Sequence, residues 1–298
     1  MILKGIPFNE FNLNCIIKME MENISIKEIT DFIYRSIEAQ KDELSLAYEN
    51  SKKEIGYFYI DNVLPDELAK ICFKVFPKKE DMRCLNSIRE YKYVSAQMDK
   101  HNPLLEKVIY AFQEDKIVEL IGKICGISTL YADKSLYAGG LSLMANNNFL
   151  NPHLDNSHDA ERSRWRVLNL LYYVTPNWNQ ENGGHLEIWP NGPKKDPILI
   201  ESKFNRLAVM ATHGTSWHSV NKVVSGEVSR CCISNYYFSP DPLKETDKFH
   251  VTKFRGRPEE KLKNILLDAD ASIRMLVRKI FKKGIRKNPH VYQEKKDI

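Results

Sequence analysis

The sequence predicts a mainly β protein, a jelly roll of two facing sheets flanked by helices at both ends, and three observations predict it. Between Leu130 and about Ser239 the chain runs in short alternating or apolar stretches rich in Val, Leu, Tyr and Trp. Turn signals such as Gly183-Gly184, Pro176-Asn177, Asn191-Gly192 and His213-Gly214 punctuate them, which is the texture of antiparallel strands. Before that region and after Pro242 the apolar spacing is helical. Many short strands within about 110 residues bury most of their edges when two sheets face each other.

Taken in order, residues 1–55 form an N-terminal helical cap, with one helix expected over Ile26–Leu46 because Ile29, Phe32, Ile33 and Ile37 fall on one face. Residues 57–64, YFYIDNVL, read as a strand. Pro65 and Asp66 then open a helix over DELAKICFKVF, since proline tolerates the first turn and an acid favours it. Two further helices are expected over Pro103–Phe112 and Asp115–Ile124, the second stopped by Gly126. With these supporting helices the jelly roll occupies residues 56–240, and residues 241–298 are a basic helical extension.

Composition excludes several classes. Hydrophobic residues make up 43% and charged residues 28% of the 298, the balance of a globular chain and not of a disordered one. The cysteines (Cys15, Cys72, Cys84, Cys125, Cys231, Cys232) show no CxxC spacing, so reduced thiols fit better than disulfides or a zinc finger. Cys231 and Cys232 point to opposite faces of a strand, one thiol expected in the core and one outside. The first residues have no signal-peptide pattern and no stretch reaches about 18 apolar residues, so a cytoplasmic protein is expected. The net charge of +5 is uneven: Arg255 to Ile298 carries seven more basic than acidic groups. Nothing in the pattern points to nucleic acid.

The chemistry lies in the β region. His153 and Asp155 are two apart in NPHLDN, so an extended strand sends both side chains from one face toward one ion. His218 opens a later strand, and His213, ahead of the His-Gly turn, competes with it as a third ligand. Two imidazoles and one carboxylate on one face of an octahedron leave three positions open, the arrangement of non-haem Fe(II) oxygenases. Arg230 opens the strand RCCISNYYF and shares a face with Ser234 and Tyr236; a buried arginine there needs an anion. In RWRVLNLLYYV, Asn169, Leu171 and Tyr173 share one face, expected to line a pocket, and Leu168, Leu170 and Tyr172 the other.

These segments, HLD, YYVTPNWNQENGGHLEIWPNG, RLAVMATHGTSWHSV and the strand opened by Arg230, resemble the prolyl 4-hydroxylase type of Fe(II)/2-oxoglutarate dioxygenases over roughly residues 57–239. The resemblance implies a double-stranded β-helix of cupin-like type. It also implies His153, Asp155 and His218 as catalytic iron ligands, and Arg230 on the distal carboxylate of 2-oxoglutarate, with Tyr173, Asn169 and Ser234 around it. Fe(II) and 2-oxoglutarate are the cofactors it implies, with ascorbate supportive. Met144 stands where such proteins often carry a tyrosine, nine residues before the first ligand.

For the substrate, the polar residues Asn146, Asn148, His158, Arg162 and Trp217 are candidates, and they suggest a polar, anionic small molecule or glycolipid. The layout with its basic extension is similar to the hydroxylases that act on Kdo (3-deoxy-D-manno-octulosonic acid), the acidic inner sugar of lipopolysaccharide. The alternatives are peptidyl-proline hydroxylation, a cupin-like metalloprotein without 2-oxoglutarate, and a non-catalytic binding jelly roll. Residues 274–287 carry seven basic and no acidic residues among apolar ones, which suggests peripheral contact with an anionic membrane on its cytoplasmic face.

Overall fold

The computed structural model describes residues 23–137, 139–280, 291 and 292. The N-terminal apolar spacing builds two helices where one was expected, α1 (Ile26–Glu38) and α2 (Lys41–Lys52). Ser25 starts α1 with a capping box, its hydroxyl accepting from the Glu28 N–H while the Glu28 carboxylate accepts from the Ser25 N–H. The α1 face of Ile29, Ile33 and Ile37 is wholly buried, each such side chain contributing about 1.5–3 kcal/mol. β1 (Tyr57–Asp61) and α3 (Asp66–Lys74) follow as expected, then α4 (Pro103–Ala111) and α5 (Asp115–Cys125). α5 ends at Gly126 with φ +66°, the left-handed position that glycine adopts without strain.

The sheet begins earlier than Leu130. β2 (Arg83–Asn86) and β3 (Glu90–Ser95) form a hairpin before α4, in a segment whose charged alternation hid its strand character. Then come β4 (Tyr131–Ala132), β5 (Gly140–Met144), β6 (Phe149–Leu154), β7 (Trp165–Tyr173), β8 (Leu186–Ile188), β9 (Ile198–Ile200), β10 (Arg206–Ala211), β11 (His218–Val220), β12 (Arg230–Ser239) and β13 (Lys253–Phe254). Hydrogen bonding runs in the order β1-β10-β7-β12-β5-β3-β6-β11-β8-β9. All these pairs are antiparallel, and β3 passes from β5 to β6. One sheet is thus β1, β10, β7, β12 and β5, the other β6, β11, β8 and β9, folded over each other as a jelly roll with β3 at the seam.

The period-2 pattern divides the two faces of the first sheet. Its outer face (Phe58, Ile60, Leu168, Leu170, Tyr172, Leu207, Val209, Cys231, Ile233) packs against α1, α4 and α5. Its inner face (Tyr173, Ala208, Met210, Cys232) meets Leu186, Ile188 and Ile200 of the second sheet. The expected outer thiol is therefore corrected: Cys231 and Cys232 do face opposite ways, but both are buried because helices cover the outer face.

Helix does not resume directly after Pro242. The chain first adds β13 beside β6, and the helix is α6 (Lys261–Ile280). Leu267 anchors α6 in a cluster with Met144, Leu150, Trp178 and Phe254. Asp270 pairs with Arg89 and Arg274, and Arg274 donates to the Thr252 carbonyl at 2.6 Å. Of the basic segment 274–287, residues 281–287 lie outside the described residues, as do residues 1–22 of the cap, Cys15 among them.

Candidate metal and co-substrate site

His153 lies near the end of β6 and His218 at the start of β11, and the two are directly paired in the ladder. Residues opposite each other in an antiparallel pair share a face, so both rings enter the roll together, centroids 4.1 Å apart. Asp155, just beyond β6, reaches both: Oδ1 is 3.5 Å from His153 Nε2 and Oδ2 is 3.6 Å from His218 Nε2. The potential ligand atoms of these three residues lie within 4.8 Å of one another.

Local backbone sets the tautomers. His153 Nδ1 donates to the Asn151 carbonyl and His218 Nδ1 to the Ser216 carbonyl, each at 3.0 Å and two residues back. Each ring thus presents an Nε2 lone pair toward Asp155, the arrangement that orients a histidine for metal. Phe254 of β13 stacks on His153 at 5.1 Å and 17°. Burial opposes ionisation of Asp155, but the His218 and His153 rings and the Arg166 guanidinium, 3.8 Å away, outweigh it and hold its pKa well below the carboxylate range. Burial, with the neighbouring His153, pushes His218 down to about 4. Asp155 Oδ2 is buried without a hydrogen-bond partner. An orphaned carboxylate oxygen facing imidazole nitrogens is the donor set a divalent cation satisfies, so these residues fit Fe(II).

His213 is elsewhere. Its Nε2 donates to the Ile55 carbonyl at 3.1 Å and its Nδ1 accepts from the Thr215 N–H at 3.2 Å. It ties the loop before β11 to the segment before β1 and takes no part in the cluster.

Arg230 is only 2% exposed. Nε donates to Ser202 Oγ at 3.1 Å, Ser202 Oγ donates on to the Gly184 carbonyl at 2.8 Å, and Nη1 approaches Met144 Sδ at 3.3 Å. The guanidinium lies 4.9 Å from the Tyr173 ring centroid. No carboxylate among the described residues pairs with it, so a buried fork of donors is left for an anion. Gly184 has φ +67°, and a Cβ there would stand 3.0 Å from Arg230 Cδ and 2.9 Å from Val223 Cγ2. That close approach is what the Gly-Gly turn allows.

Sequence reasoning missed Ser202, Met144 as a wall of the arginine site, and Arg166; nothing in the pattern around Ser202 marks it. Tyr173 and Asn169 do face inward, and Tyr173 Oη and Asn169 Oδ1 are buried without hydrogen-bond partners. Ser234 shares their face, but its hydroxyl donates to the Gly140 carbonyl at 3.1 Å. The substrate candidates scatter. Asn148 is buried and closes the 145–148 turn by accepting from the Ala145 N–H. Asn146 lines an outer groove with Tyr91 and Tyr93. His158 and Arg162 pack on Phe249, at 4.4 and 4.3 Å, and Trp217 is half-buried beside His218.

The part of the roll that carries the His-Asp-His cluster and the buried arginine, residues 139–238, matches the family model of the 2OG-Fe(II) oxygenase superfamily. That segment holds His153, Asp155, His218 and Arg230. Among particular proteins, the chain is 31% identical over 87 residues to prolyl 3-hydroxylase OGFOD1 of Mus musculus, covering 28% of this chain. It spans only 16% of that relative's length. Among solved structures it is similar to a Pseudomonas putida prolyl-4-hydroxylase, at 15% identity and TM-score 0.48 over 65% of this chain and 98% of the other. It is also similar to a Trichoplax adhaerens prolyl hydroxylase in complex with a hypoxia inducible factor fragment, at 18% and 0.46 over 67% and 91%. HygX from Streptomyces hygroscopicus, with nickel, 2-oxoglutarate and hygromycin B bound, stands at 10% and 0.46 over 68% and 90%.

Proposed function

We propose that the protein is an Fe(II)- and 2-oxoglutarate-dependent dioxygenase that hydroxylates a C–H bond of a polar substrate, and that residues 56–240 are its catalytic unit. The observation that carries this reading is the pairing of two histidine Nε2 atoms with the Asp155 carboxylate, whose Oδ2 has no hydrogen-bond partner, in a roll that also buries an arginine without a carboxylate partner. His153, Asp155 and His218 hold the iron. Arg230 grips the distal carboxylate of 2-oxoglutarate as a two-pronged donor, with Ser202 fixing its Nε side and the Tyr173 hydroxyl and Asn169 on the neighbouring strand. Held there, iron and 2-oxoglutarate would supply the oxidation, one oxygen atom of dioxygen going to succinate as CO2 is lost and the other to the new hydroxyl of the product. The protein positions both and shields them from water, and ascorbate keeps the metal reduced.

For the substrate, the basic C-terminal segment and the resemblance of the layout support the acidic sugar Kdo, free or in a glycolipid. The name of the mouse relative supports a peptidyl proline as the second reading. Incubation with Kdo, a Kdo-bearing glycolipid and proline-containing peptides decides between them. Gain of one oxygen atom from labelled dioxygen by the sugar alone supports the first, by the peptide alone the second, and by none overturns both.

No described helix is long and apolar enough to cross a membrane, and the proposed membrane contact is peripheral. Its support is an outward stripe on α6, Leu266, Ile273 and Leu276, each at least 60% exposed, leading into the basic segment. Anionic vesicles should pellet the protein at low salt and release it at high salt. Equal pelleting with neutral vesicles would sink this contact.

A further inference from the structure

β3 carries charges that the iron and the co-substrate arginine do not account for. Glu90 and Lys92 are two apart, so their side chains share a face, and Lys92 Nζ lies 3.1 Å from Glu90 Oε2 with both side chains about one-fifth exposed. The strand register says which face. Arg230 pairs with Met144 across β12 and β5, and their side chains touch inside the roll. Tyr93 pairs with Leu143 across β5 and β3, so the next pair along that ladder sets Lys92 opposite Met144. Lys92, Met144 and Arg230 therefore form one inward row across three adjacent strands. On its other side β3 pairs with β6, Tyr91 with Phe149 and Glu90 with Leu150, and β6 carries His153.

Lys92 thus stands at the seam, with β5, which lies against the Arg230 strand, on one side and β6, which carries His153, on the other. Adjacent strands are about 4.8 Å apart, so along this row Lys92 is about one strand spacing from Met144 and about two from Arg230. A five-carbon dicarboxylate held by Arg230 at one end and reaching toward the metal cluster would pass this row. Met144, the wall residue between the two cations, offers a thioether and no donor.

We infer that Lys92 is a second cation of the co-substrate site, its ammonium held by Glu90 and donating to the carboxylate of 2-oxoglutarate that lies at the metal end. This rests on the assignment of Arg230 to the distal carboxylate. Lys92 positions the co-substrate and does not hold the metal, so its loss should leave metal affinity unchanged.

The test is calorimetric titration of Mn(II)-loaded full-length protein with 2-oxoglutarate, alongside titration of the metal-free protein with Mn(II). Lys92→Met and Lys92→Gln should each weaken 2-oxoglutarate about tenfold, the size of one hydrogen bond to a charged group. Lys92→Arg should stay within about threefold of the parent, and Mn(II) affinity should be the same in all. Thermal melting of each metal-free variant checks folding, and having both a methionine and a glutamine variant guards against one failing to fold. If both bind 2-oxoglutarate like the parent while Arg230→Met does not, the role of Lys92 is refuted and the assignment of the site stands. If the parent itself takes up no 2-oxoglutarate with metal bound, the assignment fails first.

Discussion

Arg230→Met should separate the cost of a buried charge from its use. The side chain is 2% exposed, and its fixed neighbours are a hydroxyl, a thioether and an aromatic ring. Without an anion the guanidinium is desolvated and lacks a countercharge, so methionine, similar in length, should leave the ligand-free protein at least as stable. With 2-oxoglutarate the sign reverses. Stripping one partner from a buried ion pair costs about 3–5 kcal/mol, a hundredfold or more in affinity. At a 2-oxoglutarate concentration of about 100 times its Kd the parent gains about 2.7 kcal/mol, which for a chain of this size is about 5 °C in Tm. In the variant the same concentration is at or below Kd, and the gain falls under about 0.4 kcal/mol. The assay is thermal melting of Mn(II)-loaded protein with and without co-substrate. An equal co-substrate shift in the two proteins would show that Arg230 does not hold 2-oxoglutarate.

Three further outcomes are expected. His153→Ala, Asp155→Ala and His218→Ala should each lose Mn(II) binding in calorimetry while remaining folded, whereas His213→Gln should keep it. Gly184→Ala should weaken 2-oxoglutarate binding and cost about 1–3 kcal/mol in denaturant unfolding, because its Cβ collides with Arg230 and Val223 at a positive φ. Burial, and then the Lys244 charge, lower His213 to about 4 from the 6.5 of an unfolded histidine. The unfolded chain therefore binds the extra proton first, and His213 removes stability as pH falls from about 6.5 to about 4, by about 3 kcal/mol in all. The same urea titrations on His213→Gln should show a shallower loss across that window. An identical slope in the two would show that His213 is not the titrating group.

The sequence made the site more legible than the ground around it, for a physical reason. His153, Asp155 and His218 were readable because a strand sends alternate residues to one face and because metal chemistry needs those residue types together. The inward set Asn169, Leu171 and Tyr173 was readable for the first of these reasons. Arg230 was readable as the opening residue of an alternating strand. The hairpin β2–β3 was not, since EYKYV alternates charge with aromatics and its strand state comes from pairing with β5 and β6 across more than 40 residues. The break between α1 and α2 at Ala39–Gln40 was hidden because neither residue is a helix breaker. Ser202 and Lys92 reach the site only through the register of distant strands, which no local pattern encodes. The substrate candidates fared worst: Asn146 and Asn148 were grouped by composition, but both border an outer groove and the Asn148 amide oxygen is spent on a turn.

The most direct measurement of the central claim is succinate formation by the purified protein from 2-oxoglutarate, with Fe(II), ascorbate and dioxygen and no added primary substrate. A slow, iron-dependent release of succinate is expected, disappearing in Asp155→Ala and falling at least a hundredfold in Arg230→Met at subsaturating co-substrate. Succinate formed undiminished in Asp155→Ala, or no succinate and no metal-dependent binding of 2-oxoglutarate in the parent protein, would contradict it.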